Sequence, residues 1–422
     1  MKHSISSLVA ASSVVTVSAY NNGLAATPPM GWSSWCTNDI CGIPDLCSEF
    51  EVRNKADAMV ANGLRDAGYT MMLLDDCWAA HDRDANGELQ PMPWAFPSGM
   101  KALADYLHDR NMQLGLYTCV GTETCKRNRP GSYGNFETDS NTFAKWGIDM
   151  VKADYCNRPS DTVGKDLYYD FSAALNATGH PMLFATCQWG EDNVSEWGGE
   201  VAQMFRIQMD HIPVWQGPAS ASGEGYGIGT KNIIDFMADL HPSKYTRPYA
   251  WMDPDFLETL FLDKHMSDDV SVMMNYTNSR TEFSFWSIWS SPLLVATDPA
   301  NLSEEKASIL LNKEVIAINQ DEAFIAGERI RNDNETTGGQ LWSRPLADGD
   351  LCVILYNSGQ NDNTTVSVSW DELGWNTADE VYVRDLWAHE DKGVVTGGYS
   401  SELLAHDVCM LRLSKDLSKM KK

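Results

Sequence analysis

Basic residues are scarce in this chain. Its 422 residues include 32 Lys plus Arg against 58 Asp plus Glu, a formal net charge of −26. That balance excludes nucleic acid and anionic membranes as natural partners, because both repel an acidic surface. Metal-binding patterns are missing as well. There is no Cys-x-x-Cys pair, and the nine histidines, His81, His108 and His211 among them, are scattered rather than clustered. Neither a metal nor another cofactor is therefore expected. Beyond the N-terminus no apolar run approaches the ~20 residues that cross a bilayer, and no internal repeat is visible.

The N-terminus itself carries an export pattern. Lys2 and His3 precede a run of apolar and small residues from Ile5 to Val17, and Val17-Ser18-Ala19 has the form of a cleavage site. Residues 1–19 read as a secretory signal peptide, leaving a soluble chain that starts at or near Tyr20. The expected destination is outside the cell, or a lysosome or vacuole reached through the secretory pathway. Six Asn-x-Ser/Thr sequons, at Asn176, Asn193, Asn275, Asn301, Asn334 and Asn363, agree with export. Ten cysteines in an exported chain favour disulfides. Spacing allows local clips between Cys41 and Cys47, Cys36 and Cys77, and Cys125 and Cys156, and it leaves the state of Cys119, Cys187, Cys352 and Cys409 open.

With 43% hydrophobic residues, the chain can bury one large core and a smaller one. From Pro29 to about Leu311, β-type runs alternate with helical patterns. The strand candidates are Met30–Trp35, Thr70–Cys77, Gln113–Val120, Ile148–Cys156, Pro181–Gln188, Met204–Asp210, Pro248–Met252 and Pro292–Thr297. Eight strands with intervening helices predict an α/β fold, a (β/α)8 TIM barrel. After Asn319-Gln320-Asp321 helical periodicity disappears and short alternating strands follow, which predicts a C-terminal antiparallel β-sandwich. The expected division is a signal peptide at 1–19, a barrel at 20–326, a β-domain at 327–415 and a frayed basic tail at 416–422.

Carboxylates collect at the predicted C-terminal strand ends, where a barrel keeps its chemistry. They are Asp75 and Asp76, Asp154, Asp210, then Asp253 and Asp255. Lys152 and Asp154 lie two apart on one strand, so they share a face. An ammonium there is expected to keep Asp154 ionised as a nucleophile, although an ordinary ion pair fits the same pattern. Glycoside hydrolysis needs two carboxyl groups about the scissile bond, and Asp154 and Asp210 are the candidates. Arg206 is expected on the same strand face as Asp210, gripping a hydroxyl or a carboxylate. The adjacent acids Asp75 and Asp76 suit bidentate bonding to sugar hydroxyls, with a calcium site or a helix cap as alternatives. Trp32 is either a stacking platform for a sugar or a core residue.

These residues stand within longer stretches. They are Asn22-Gly-Leu-Ala-Ala-Thr-Pro-Pro-Met-Gly-Trp32, Leu74-Asp-Asp-Cys-Trp78, Leu114-Gly-Leu-Tyr117, Lys152-Ala-Asp154, Trp251-Met-Asp-Pro-Asp255 and Ala317-Ile-Asn-Gln-Asp321. Together they resemble glycoside hydrolase family 27, the α-galactosidases of the melibiase type. The resemblance implies that Asp154 is the nucleophile and Asp210 the acid/base of a retaining exo-glycosidase that removes terminal α-galactose. It implies sugar contacts from Trp32, Asp75, Asp76, Tyr117, Lys152, Gln188, Trp189, Arg206 and Asp255. It also implies the disulfides Cys36–Cys77, Cys41–Cys47 and Cys125–Cys156. The substrate would be an α-galactoside in an oligosaccharide, polysaccharide or glycolipid, and a homodimer is left open. Two departures stand out. Cys187-Gln188-Trp189 replaces the common Cys-Glu-Trp, and Ala202 stands where some members have a cysteine to pair with Cys187. Gln188 favours galactose over N-acetylgalactosamine, whose family enzymes use small residues there. An α-N-acetylgalactosaminidase is the nearest alternative, and a non-catalytic galactose-binding protein a more distant one.

Overall fold

A computed structural model describes residues 20–39, 47–126, 128–217, 227–260, 274–333 and 338–419. The expected signal peptide, Cys41 and the sequon at Asn334 lie outside the described residues.

Eight strands come first: β1 (Met30–Ser33), β2 (Met71–Leu74), β3 (Gln113–Cys119), β4 (Met150–Asp154), β5 (Leu183–Cys187), β6 (Met204–Arg206), β7 (Trp251–Asp253) and β8 (Leu293–Val295). The helices among and after them are α1 (Glu49–Asn62), α2 (Gly99–His108), α3 (Phe136–Trp146), α4 (Gly164–Ala177), α5 (Val194–Val201), α6 (Thr230–Leu240), α7 (Tyr276–Ile288), α8 (Glu304–Leu310) and α9 (Lys313–Asn319). The strands pair in parallel in the order β7-β6-β5-β4-β3-β2-β1-β8. Just past β7, Leu257 donates its N–H to the Leu294 carbonyl at 2.8 Å and accepts from Ala296 N at 3.1 Å. This bridge brings the open edge onto β8 and curls the sheet into the expected barrel.

Local sequence explains the helix boundaries. Ser48, Asn275, Ser303 and Asn312 each accept a first-turn N–H with the side chain, capping α1, α7, α8 and α9. Helix α5 contains Gly198 and Gly199, poor helix formers. A Cβ at Gly198 would meet the Phe205 ring at 2.7 Å, so packing against β6 requires the glycine.

Strand parity sorts the barrel's side chains. Met71, Leu73, Met150, Leu183, Ala185, Met204 and Leu294 fill the interior. Their neighbours Met72, Leu74, Val151, Ala153, Phe184, Phe205 and Val295 face the helices. The sixth strand is shorter than expected. It ends at Arg206 rather than Asp210, so those two residues do not share a strand face.

The β-domain comprises β9 (Glu328–Asn332), β10 (Gly339–Pro345), β11 (Leu351–Asn357), β12 (Thr364–Ser369), β13 (Val381–Asp385), β14 (Glu390–Val395), β15 (Gly398–Leu403) and β16 (Val408–Ser414). A six-stranded antiparallel sheet, β14-β13-β16-β11-β10-β9, faces the pair β12-β15. Leu341, Val353, Val366, Val368 and Leu411 fill the space between them, giving the expected sandwich. Strands β9, β14 and β15 are polar, and most of their residues are partly or fully exposed.

The other face of the large sheet packs on α7. Phe285 meets both Trp342 and Tyr356 with ring centroids 5.1 Å apart. Buried Arg344 donates to Ser287 O at 3.0 Å, and Arg280 pairs with Asp407. From Phe283 to Ile288 every residue of α7 is buried, as in a helix covered on all sides. The basic tail is not frayed through Lys419, whose ammonium reaches Asp348 at 2.7 Å and Asp350 at 2.8 Å.

The disulfides correct two expected pairs. Cys47 bonds Cys77, which removes both Cys41–Cys47 and Cys36–Cys77. Cys36 is disulfide-bonded as well. Cys47 directly precedes the cap of α1 and lies 5.8 Å from Cys77 Cα to Cα, a proximity that sequence spacing does not encode. Cys125–Cys156 forms as expected. Cys119, Cys187, Cys352 and Cys409 are buried free thiols.

Candidate active site

A cleft of about 310 Å³ opens at the C-terminal ends of the barrel strands. Asp75, Tyr117, Lys152, Asp154, Trp189, Arg206, Asp210 and Asp255 all line it, so eight of the eleven expected site residues meet there.

Asp154 ends β4. Its Oδ1 accepts the Tyr155 N–H at 2.9 Å and its Oδ2 accepts the Tyr117 hydroxyl at 3.0 Å. Lys152 does not bond it. The ammonium donates instead to Asp75 Oδ2 at 2.8 Å and lies over the Phe256 ring at 4.7 Å. Burial therefore dominates at Asp154 and pushes its carboxyl up to about 7, against the pull of Lys152; the charges of Asp210 and Asp75 add to the rise. Lys152 therefore favours the ionised form of Asp154, as expected, but its pull is outweighed by burial. Burial also penalises the Lys152 ammonium, yet its acidic neighbours, Asp75 foremost, hold its pKa above the ordinary lysine value.

Across the cleft, the buried Arg206 guanidinium grips two acids. It lies 2.9 Å from Asp255 Oδ2 and 3.0 Å from Asp210 Oδ1. The two acids differ sharply, since the Asp255 side chain is 5% exposed and that of Asp210 56%. Asp255 is also fixed by the His211 and Phe256 N–H groups, at φ +85. Asp210 sits on the loop beyond β6 and reaches Arg206 from there, not along a strand. Buried Asp253, whose carboxyl burial raises to about 6, accepts the Asp255 N–H behind this group.

Three expected residues lie off the cleft. Trp32 is buried in the outer core, with Lys55 5.8 Å over its ring. Asp76 turns away from the cleft, accepts Lys126 N at 3.0 Å and stands 3.7 Å from Arg129. Gln188 is fully buried and donates to Glu191 O at 2.9 Å. Each stands one residue from an inward-facing position, and the interior period of two accounts for all three. Sequence reasoning missed Trp35, Lys126 and Phe256, which do line the cleft. Trp35 is reached because β1 stops at Ser33 and a tight helical turn, Ser34–Asp39, carries the chain over the barrel mouth.

Among the described residues one group of three could offer ligand atoms to a metal ion. Cys125, Cys156 and Asp154 place sulfur and oxygen atoms within 4.8 Å of one another, but both sulfurs are committed to the disulfide. The arrangement offers a buried carboxylate, a second more exposed carboxylate, and a ring of charged donors and acceptors. That equipment suits displacement at a carbon that carries a polyhydroxylated ring.

Comparison with known proteins agrees with this geometry. A family model described as alpha galactosidase A matches residues 27–321, and one described as the alpha galactosidase C-terminal beta sandwich domain matches 336–413. The chain is 36% identical to an alpha-galactosidase of Cyamopsis tetragonoloba over 91% of its own length and 85% of that protein's. It superposes on alpha-galactosidase I of Mortierella vinacea with a TM-score of 0.84 at 31% identity, covering 93% of this chain and 98% of that one. An alpha-galactosidase of Saccharomyces cerevisiae solved with raffinose gives a TM-score of 0.82 at 26% identity, covering 93% and 98%.

Proposed function

The chain belongs to the alpha-galactosidase family, glycoside hydrolase family 27, and from that premise we propose that it is a retaining exo-glycosidase removing terminal α-galactose. The observation that carries the reading is the pairing, in one cleft, of buried Asp154 with exposed Asp210. In its ionised form Asp154 attacks the anomeric carbon while Asp210 gives its proton to the departing oxygen. The result is a glycosyl ester on Asp154. Asp210 then takes a proton from water, the hydroxide adds to the anomeric carbon, and the ester bond breaks to release α-galactose. Tyr117, bonded to Asp154 Oδ2, steadies the nucleophile. Asp75 with Lys152, and Asp255 with Arg206, offer paired acceptors and donors to the sugar hydroxyls.

The same reading takes the chain through the secretory pathway. Two disulfides support it, as do the exposed asparagines of the five described sequons.

The test is a panel of aryl glycosides. Aryl α-galactoside is expected to be cleaved well ahead of aryl α-N-acetylgalactosaminide and aryl β-galactoside, with Asp154→Asn as the inactive control. Equal turnover by that variant would overturn the assignment.

A further inference from the structure

Asp210 belongs to an exposed stretch of chain. Its side chain is 56% exposed, and Met209 before it is exposed too. An acid/base must nevertheless stand within hydrogen-bond reach of the oxygen it protonates. The next residue, His211, is buried, and its imidazole is fully enclosed. That imidazole ties the loop after β6 to three other elements. Nδ1 is 2.8 Å from the Phe256 carbonyl, on the chain after β7. A carbonyl only accepts, so Nδ1 carries a proton and donates it. Nε2 is 3.0 Å from the hydroxyl of Thr230, the first residue of α6. The ring also lies against Trp286 of α7, with centroids 5.5 Å apart.

Glu282 Oε1 stands 3.7 Å from Nδ1, too far for a hydrogen bond. Burial lowers the imidazole to about 4, with Asp255 pulling the other way and Arg206 adding to the fall. The ring is therefore neutral near neutral pH, and Nε2 is left to accept from Thr230. The backbone beside it is held as firmly. His211 N–H donates to Asp255 Oδ2 at 2.9 Å, and Asp255 O accepts the Trp286 indole N–H at 2.8 Å. Asp210 O accepts the Ile228 N–H at 2.7 Å, and Ile212 N–H returns to Ile228 O at 3.1 Å. A Cβ at Gly227 would meet Asp210 O at 2.0 Å, so this close approach requires the glycine. Asp210 is thus pinned by its own carbonyl and by its neighbour, while its carboxyl group lines the cleft beside Arg206.

We propose that His211 is the positioning residue for the acid/base: its imidazole, bridging Phe256 and Thr230, fixes where the Asp210 carboxyl group stands and carries no proton of the reaction. The inference rests on the reading of Asp210 as the acid/base. A displacement of about 1 Å at such a group costs about 10²-fold. In the first half of the reaction that cost falls on leaving groups that need a proton, and not on those that depart as stable anions. A residue that merely holds the barrel together would slow every substrate alike.

The experiment measures kcat/KM on α-galactosides whose leaving groups run from a simple alcohol to dinitrophenol, together with inhibition by galactose. His211→Phe keeps a ring and loses both side-chain hydrogen bonds. It is expected to lose about 10²-fold on the alkyl galactoside and far less on the dinitrophenyl one. Galactose inhibition should hold, because Asp255 is bonded by the backbone N–H that the variant retains. His211→Asn, whose carboxamide still donates toward Phe256 O, should regain most of the alkyl rate. Equal losses on every leaving group, weaker galactose inhibition, or no loss at all in His211→Phe would overturn the proposal. Where His211→Phe does not fold, His211→Asn is set against His211→Gln, which reaches only the Nε2 position. The Asn variant should then be the faster on the alkyl galactoside and equal on the dinitrophenyl one, and matching profiles would overturn the proposal. An Asp210→Asn enzyme slowed alike on every leaving group would instead overturn the reading of Asp210 itself.

Discussion

Lys152 donates to Asp75, just past β2 and two strands away across the barrel sheet, at 2.8 Å, and not to Asp154 two residues along its own strand. The ammonium acts on Asp154 only through space. Burial has already raised the Asp154 carboxyl to about 7, and Lys152 is the largest influence in the other direction. Removing it in Lys152→Met raises that carboxyl further. The acid limb of kcat/KM, which reports ionisation in the free enzyme, should move to higher pH by about one unit or more. A limb that stays put or moves down would show that Lys152 does not reach Asp154 electrostatically.

Asp154 and Asp210 should fail differently. Asp154→Gly is expected to lose at least about 10⁴-fold in kcat. Added azide should restore turnover and give β-galactosyl azide, because the small anion attacks from the vacated side. Asp210→Asn should lose about 10²–10⁴-fold on sugar leaving groups that need protonation. Its loss on a nitrophenyl α-galactoside, whose leaving group is already acidic, should be much smaller. Product analysis by NMR and a leaving-group series test the two assignments separately.

Both the fold and much of the cleft were legible because period-two alternation is written directly into strands. The residues that went astray show the limit of that reading. Trp32, Asp76 and Gln188 each sit beside an inward position, and a one-residue error in parity moves a side chain to the other face of the sheet. Trp35 escaped notice because β1 ends two residues earlier than the sequence pattern implied. Asp210 was placed on a strand it does not belong to, yet the Arg206 contact survives since the loop returns it to the same guanidinium. The cysteine pairing was illegible for a different reason. Four cysteines allow three connectivities, and only the fold brings Cys47 to Cys77.

Glu282 supplies a stability prediction. This fully buried side chain of α7 accepts the Glu258 N–H at 2.9 Å, and burial raises its carboxyl from 4.5 to about 8. The folded state therefore binds a proton that the unfolded chain releases between those values. That contribution to stability is complete below about pH 4.5 and is lost as pH rises through about 8. Glu282→Gln keeps the acceptor oxygen without the titration. Thermal midpoints measured from pH 5 to 9 should decline less steeply for the variant than for wild type.

The cysteine pairing can be read directly. Proteolysis without reduction should release Cys47 linked to Cys77 and Cys125 linked to Cys156, with Cys119, Cys187, Cys352 and Cys409 alkylated only after unfolding. Recovery of a Cys36–Cys77 peptide would contradict the structure.

Helix α7 forms one wall of the barrel and, on its other side, supports β10, β11 and β16. Its partners include His406 and Asp407, just before the last strand. The contacts of that helix are therefore complete only with the last strand in place. Until β10 and β11 emerge from the ribosome, Phe285 and Trp289 lack Trp342 and Tyr356, and the nascent chain presents a hydrophobic helix. An enzyme truncated after the barrel would hold that unfinished state permanently. With Phe285 and Trp289 uncovered, such a chain is expected to be prone to aggregation.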